Sequence, residues 1–535
     1  MKKALYYFYF ILSAFVSYAQ PQPDKAVFDI TAYGAVGDGE KLNTDSIQKA
    51  IDDCHEQGGG VVVLPEGVFL SGTLELKDNV TFHLKKGGVL LGSPHIANYK
   101  NIDPFTEGLG INVGSALLVA ADAKNIGIEG EGIINGQGSK LKEEHIKTDK
   151  RPESERWGRR PFLLRIVRCA GVKVKDVTLK YAGAWTSHYF QSENIRIENV
   201  TIISHGVAHN DGIGIDGCQD VFIKNCDIDS GDDALVFKTT SSKMACRNVV
   251  VKGMRLKSRQ AGIKMGTESM APFENIKISD CHIYDTRNGG IKLLTVDGAH
   301  LRNVEISDIT MVNVRTPMLF RLGSRLSVFR KNEDTRQQTG TMENVVIRNV
   351  TAQAAAEAQL TPPSGILITG VPGHDITDLT LENIEIDLAG GGTEEHARQI
   401  VPEAIDQYPE IKTFGPRVPA YGIWARHVKG LNLNKIRFIL GSNDLRPAFV
   451  CEDGKDILLT DWKIPETSGA PEILRLEEVK GALIRRIETK GSADAFIRIE
   501  GKNSGNIRLS ANKAPGIENM VKISSGADPK AVSIN

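Results

Sequence analysis

The chain lacks several features that would narrow its chemistry at once. It has no surplus of either charge: 65 Lys and Arg stand against 66 Asp and Glu in 535 residues, a formal net charge of −1. Without Lys2 and Lys3 the balance is 63 against 66. Nothing global draws such a chain to nucleic acid or a membrane surface, and neither partner is expected. Beyond the amino-terminal run, no stretch is long and apolar enough to span a bilayer. Cysteine is scattered and odd in number, seven residues without the spacing of a disulfide framework. His188, His205 and His209 are not at ligand spacing on one element, so no metal and no cofactor are expected. No linker divides the chain, although it exceeds what one compact core usually supports.

What is present is abundant glycine, persistent strand-like runs and repetition. A solenoid accommodates the length, because its core grows along an axis. Four similar phrases recur: Asp-Gly-Ile-Gly-Ile-Asp (211–216), Asp-Ala-Leu-Val-Phe-Lys (233–238), Arg-Gln-Ala-Gly-Ile-Lys (259–264) and Arg-Asn-Gly-Gly-Ile-Lys (287–292). Their starts differ by 22, 26 and 28 residues, a period that fits coils stacked strand upon strand. Asp211, Asp233, Arg259 and Arg287 are then expected in one column. Asp216, Lys238, Lys264 and Lys292 form another, which Arg321 extends. Successive members lie about 4.8 Å apart.

Such columns set the carboxyls of Asp211, Asp232 and Asp233 beside a line of cations on one wall. Glycosidic hydrolysis with inversion uses a carboxylic acid and a carboxylate about 6.5–9.5 Å apart, a separation that neighbouring coils can supply. Crowded carboxyls do not all ionise, so one keeps its proton and can act as the acid. Taken singly, each residue here is ordinary for a turn or an exposed face. Their alignment is what points to chemistry.

Met1-Lys2-Lys3, the apolar run to Val16 and the small residues Ser17 and Ala19 have the pattern of a cleaved export signal, residues 1–19. A periplasmic or extracellular monomer is therefore expected, with residues 20–535 forming one β-helix domain. The predicted short helix after Asp45 starts on a reciprocal cap between Asp45 and Gln48. It presents Ile47, Ala50, Ile51 and Cys54 on one face, ends at Gly58-Gly59-Gly60 and covers the open end of the solenoid. Phrases beginning at Asn194, Asp220, Asn248, Asn275 and Asn303 repeat an alternating apolar pattern whose leading Asn or Asp suits a turn. Cys226 and Cys281 share one place in that repeat with Val200, Met254, Ile309 and Val350, and read as buried apolar positions. Polar insertions near 138–160, 323–341 and 390–419 break the rhythm, and loops of this length in a short-looped fold tend to serve a site.

The opening from Phe28 through Gly-Gly-Gly-Val-Val-Val-Leu-Pro-Glu-Gly (58–67) to Gly87–Ser93 resembles the right-handed parallel β-helix proteins of the pectate-lyase-like superfamily. Fold class is thus expected to be all-β, a right-handed parallel β-helix with a short amino-terminal capping helix. Arg160-Pro161 and Ala184-Trp185-Thr-Ser-His188 are similar to motifs of the family 28 glycoside hydrolases, the polygalacturonase family. His209-Asn210-Asp211 corresponds to that family's N-T-D phrase, and Gly231-Asp232-Asp233 to its G-D-D phrase. This resemblance implies Asp232 as general acid, with Asp211 and Asp233 orienting and deprotonating the water. It implies Lys292 as the lysine that holds a uronate carboxylate. Ala261 and Gly290 stand where the family has a histidine and an arginine, and Met265-Gly-Thr-Glu268 is similar to a phrase of its rhamnogalacturonan hydrolases. Lys264, Lys238, Arg287, Arg259, His209 and Trp185 join Lys292 as expected substrate contacts. The expected substrate is an acidic, uronate-containing pectin-type polysaccharide or oligosaccharide, cut by inverting hydrolysis. A polysaccharide lyase and a non-catalytic polysaccharide-binding β-helix are the competing readings on this fold.

Overall fold

A computed structural model of the chain describes residues 26–534. The expected export signal lies outside them. In the central region each coil contributes three strands, as in Ile213–Asp216, Gln219–Lys224 and Asp227–Ser230, followed by Leu235–Thr239, Cys246–Lys252 and Arg255–Ser258. Each strand pairs in parallel with its equivalent one coil on, so the chain winds a three-walled prism. Among the described strands the antiparallel ladder joins Asn101–Thr106 to Asn112–Ala121. The coil is right-handed, the sense imposed when one twisted strand feeds the next parallel one.

The repeat sequence explains the winding. Ile197, Ile223, Val251, Ile278, Ile306 and Ile347 occupy equivalent inward positions on six coils and stack on one another. Each such side chain, buried fully, stabilises the coil by about 1.5–3 kcal/mol. Asn194, Asp220, Asn248, Asn275 and Asn303 adopt positive φ at the corner where the second strand begins, within its first residues, a conformation that Asn and Asp tolerate well. The corner side chains also bond along the axis. Asn248 donates to Asp220 at 3.0 Å, Asn275 to Asn248 at 3.2 Å and Asn303 to Asn275 at 3.1 Å.

The helix Thr44–Glu56 packs Ile47, Ala50, Ile51 and Cys54 onto the first coils. Its start differs from expectation: Asn43 is the N-cap residue, and Asp45 lies inside the first turn. Gln48 is drawn away from any cap because its amide exchanges hydrogen bonds with the backbone of Glu75, at 3.0 and 2.8 Å. The segment expected as a loop near 138–160 instead folds into helices Gly138–Thr148 and Glu153–Arg156.

The register also corrects the two columns. Asp216 faces Lys238, and Lys264 faces Lys292, but Lys264 lies opposite Val236 rather than Lys238. Arg321 lies opposite Leu294. Leu235 pairs with Ile263, a step of 28 residues where the phrases differ by 26, so everything beyond is displaced by two. Arg259 and Arg287 consequently precede the column of Asp211 and Asp233, and the Arg259 N–H donates to the Ser230 carbonyl.

All seven cysteines are free and buried. Cys281 stacks on Ile309 and Val350 as an apolar rung. Reductant should therefore leave the thermal midpoint unchanged, and a thiol reagent should titrate no cysteine until the protein unfolds. A native-state thiol reaction, or a midpoint lowered by reductant, would contradict this packing.

Candidate active site

The acids stand at the corner leading into the first wall of each coil, and the lysines on the outer face of that wall. Along Leu235–Thr239 the side chains of Leu235 and Phe237 enter the core, so Val236 and Lys238 point outward. Lys264 and Lys292 stand outward on their strands by the same alternation. Outward here does not mean solvated, because two polypeptide segments cover this face.

One cover is the antiparallel hairpin, which with the 138–160 insertion forms a satellite apolar cluster of Phe105, Val113, Trp157, Phe162 and Trp185. The other is the 390–419 insertion, whose Val401, Ile411, Phe414 and Val418 pack on the outward Leu294, Leu319, Leu367 and Trp424. Arg321 pins this insertion by donating to the carbonyls of Glu403 and Ala404 at 2.9 and 2.8 Å. Between the covers lies a cavity of about 640 Å³. The 323–341 insertion lends the cavity no lining residue; its Arg325 packs behind, paired with Asp297 at 2.6 Å and lying 5.4 Å from the Tyr408 ring centroid.

Asp211, Asp232 and Asp233 all line the cavity, with Lys238, Lys264, His209 and Trp185. Asp233 is fixed most firmly. Its carboxylate accepts from Lys264 Nζ at 2.7 Å and from the Ala261 N–H at 3.0 Å, so at the position where the family histidine is missing a backbone donor holds the acid. Asp232 is the most exposed of the three and accepts from the Asp233 N–H at 2.9 Å. Gly231 allows this turn, since a Cβ there would meet Asn210 Oδ1 at 2.3 Å. Lys238 lies 3.8 Å from Asp211 and 3.0 Å from Glu268. Lys292 is buried behind the lining and reaches Glu410 at 3.2 Å.

These surroundings divide the acids. Burial pushes Asp232 up to about 6, reinforced by the charge of Asp233 beside it. Asp211 is raised well above the usual carboxylate range, first by burial and then by Asp232. Burial acts on Asp233 in the same sense, but the Lys264 ammonium outweighs it and holds that carboxyl below its usual range. The three acids titrate as one cluster that retains protons where an exposed carboxyl has lost them. His209 is pushed down to about 4 by burial and by Arg160, so its ring is neutral where it stacks on Trp157, 3.9 Å from Asp232.

Two expected contacts are elsewhere. Arg259 and Arg287 line a separate groove with His205, Lys257 and Arg315, a consequence of the two-residue displacement. Trp185 is 4 % exposed; its ring stacks on Phe162 with centroids 5.0 Å apart and lies 4.6 Å from the Lys238 ammonium. Its faces are engaged within the protein rather than open to a sugar. Asp216 is fully buried and accepts from Thr240 and His188, which makes it a structural acid.

Sequence reasoning missed several lining residues. Glu107 comes from the hairpin, and burial next to Glu268 pushes it up to about 7. Glu268, Tyr408 and Glu410 also line the cavity, and the Tyr408 hydroxyl accepts from Thr267 at 2.9 Å. The Pro and Gly punctuation of 101–112 hinted at an inserted turn, but only tertiary packing brings it over the acids.

A parallel β-helix with a recessed acid and lysine cluster on one outer wall defines a class of polysaccharide-active proteins. Within it, this chain belongs to the glycosyl hydrolases family 28, whose sequence model matches residues 63–404. It is 28 % identical over 265 residues to a probable polygalacturonase of Vitis vinifera, an alignment covering 46 % of this chain and 53 % of that one. It is 32 % identical over 253 residues to an exo-poly-alpha-D-galacturonosidase of Dickeya chrysanthemi, covering 39 % and 42 %. The chain thus spans about half the length of these curated relatives. Its fold is also that of a hyperthermoactive exopolygalacturonase from Thermotoga maritima, with TM-score 0.58, 22 % identity and coverage of 79 % of this chain and 94 % of that chain. A family 28 exopolygalacturonase of Yersinia enterocolitica superposes with TM-score 0.61, 18 % identity and coverage of 81 % and 78 %. Among the described residues no helix is long and apolar enough to cross a membrane.

The pair of Lys264 with Asp233 yields a test of the electrostatics. Asp233 is lowered in the folded state, so its contribution to stability is present above the unfolded value of about 3.9 and is lost as pH falls through the lower folded value. Lys264→Met should cost about 3–5 kcal/mol near neutral pH, because it leaves a buried carboxylate unpaired. In urea denaturation the deficit should shrink as pH drops below that window; a deficit independent of pH would show that the pair does not hold Asp233 ionised.

Proposed function

We propose that the protein is an exported hydrolase that cleaves glycosidic bonds in a uronate-containing, pectin-type polysaccharide with inversion of configuration. Membership of family 28 and the names of the curated relatives support polygalacturonan-type substrates. The single observation that carries the chemistry is that three carboxyls line one cavity while Lys264 pairs, at 2.7 Å, with Asp233.

Asp232 is the general acid. It is the most accessible of the three, and with a value of about 6 it retains a proton to donate to the leaving oxygen in mildly acidic solution. Asp233, ionised by Lys264, deprotonates the water, and Asp211, kept protonated by burial beside Asp232, helps to orient it. Lys238 lies beside Asp211 and is drawn toward Glu268 as well, so it tunes the cluster instead of neutralising one acid completely. The amino-terminal pattern of residues 1–19 supports export.

Asp232→Asn should lower kcat by about 10²–10⁴-fold while the fold and substrate binding persist. The wild-type kcat on pectic oligosaccharides should fall as pH rises through the Asp232 value, since the acid then loses its proton. NMR of the first product formed should show the inverted anomer. Retained turnover in the Asn variant, or a retained anomer, would remove this assignment.

A further inference from the structure

The 390–419 insertion brings Tyr408, Glu410 and Lys412 to the cavity, and it is held from behind by coils beyond residue 404, where the match to the family model ends. Arg426 donates to the Val401 carbonyl at 2.9 Å and Arg475 to the Ala397 carbonyl at 2.6 Å, while the buried Glu472 accepts from Arg398 at 3.1 Å. Arginine keeps its charge at any ordinary pH, so the two carbonyl contacts do not change with acidity.

One further contact is of a different kind. His427 stands near the end of the strand Ile423–Lys429 at positive φ, its side chain 9 % exposed. Its Nδ1 lies 2.6 Å from Asp453 on the next coil, and its Nε2 lies 3.1 Å from Glu403 on the insertion. Each ring nitrogen therefore faces a carboxylate, and an ionised carboxylate only accepts. A neutral imidazole has one N–H and one lone pair, so it can donate to one acid and must turn a lone pair on the other. Only the imidazolium satisfies both. The shorter contact belongs to Asp453, so a neutral ring keeps that one and releases Glu403.

The charges around the ring limit the release without replacing the contact. Arg426 reaches Glu403 at 3.1 Å in either state, but its Nε is committed to Glu452 at 2.7 Å. Arg321 holds the backbone carbonyls of Glu403 and Ala404 and not the carboxylate. Lys455, two residues after Asp453, is taken up by Asp375 at 2.9 Å. The turn at 370–374 packs beside the ring's backbone, where a Cβ on Gly370 would meet the His427 Cβ at 2.9 Å, and its His374 is exposed. Glu403 and Asp453 keep 39 % and 45 % of their side chains exposed, so water screens the contact much as it does a surface pair.

We propose that His427 is a positioning residue for the cavity and makes its cover sensitive to pH. The imidazolium clamps Glu403 to Asp453, and Tyr408 and Glu410 follow Glu403 closely in the chain. Loss of one proton slackens that end of the cover. The clamp is a property of the fold; its effect on turnover rests on the hydrolase reading above.

Hydrogen exchange of the full chain, read on the peptide 400–415 and corrected for the intrinsic rate, tests the clamp at about pH 5 and about pH 8, the span over which histidine changes charge. In the wild type the corrected exchange should be about threefold faster at the higher pH. Glu403→Gln and Asp453→Asn each supply an amide that donates to a neutral ring and accepts from a charged one, so in both variants the step should vanish while protection persists. Turnover of pectic oligosaccharides should show KM rising about threefold over the same span in the wild type and staying level in both variants, while kcat falls alike in all three. Equal wild-type exchange at the two pH values would overturn the proposal. So would a step that survives in either variant, as one caused by His374 or by His396 elsewhere in the insertion would. The expected exchange pattern without turnover removes only the hydrolase reading, and turnover with exchange indifferent to pH removes only the clamp.

Discussion

Ionised carboxylates paired with lysines in a cavity shielded from water are the constraint on which the rest of the structure depends. Buried charge is tolerated only when each ion is matched and hydrogen-bonded, because its loss of hydration is large. Asp233 meets that condition through Lys264 and a backbone N–H, and Glu410 through Lys292 and Asn288. Holding such pairs requires a scaffold that cannot drift by even a fraction of an ångström, and stacked coils in strict register supply one. The corner ladders of Asn and Asp and the inward ladders of Ile and Val provide that rigidity from local sequence.

Shielding is the second requirement, and the coil alone does not meet it. The outer face of the first wall would be solvated if the hairpin and the 390–419 insertion did not lie across it. Each is held by an apolar cluster distinct from the main core, so the covers dock by the same burial that stabilises the prism. A water-accessible acid triad would ionise fully at ordinary pH; under these covers it does not. Burial is therefore both the cost of the site and the reason that one acid keeps its proton.

The winding was legible because it is local. Asn194, Asp220 and Asn248 recur at the same corner, and the alternation after each shows which side chains point inward, without knowledge of any distant contact. The three acids were legible for a related reason, since they occupy equivalent corners on adjacent coils. The cation columns failed at one point, between Lys238 and Lys264, where matching by phrase gave a step two residues shorter than the observed pairing. Similar wording at 233 and 259 concealed that displacement, and it carried Arg259 and Arg287 out of the cavity. The cap at Asp45 failed because Gln48 has a tertiary partner in Glu75.

By itself, then, the sequence determined the parallel coil, the inward ladders and the gathering of Asp211, Asp232 and Asp233, since all three follow from a repeat read one coil at a time. Tertiary structure decided which lysine each acid receives, that Glu107, Glu268 and Glu410 join them, and that Trp185 is enclosed by its neighbours. The arrival of Glu107 and Glu410 depends on segments more than a hundred residues apart, such as Lys292 and Glu410, meeting across the outer wall. No periodicity records such a meeting, because inserted segments are positioned by what they bury and not by the repeat they interrupt.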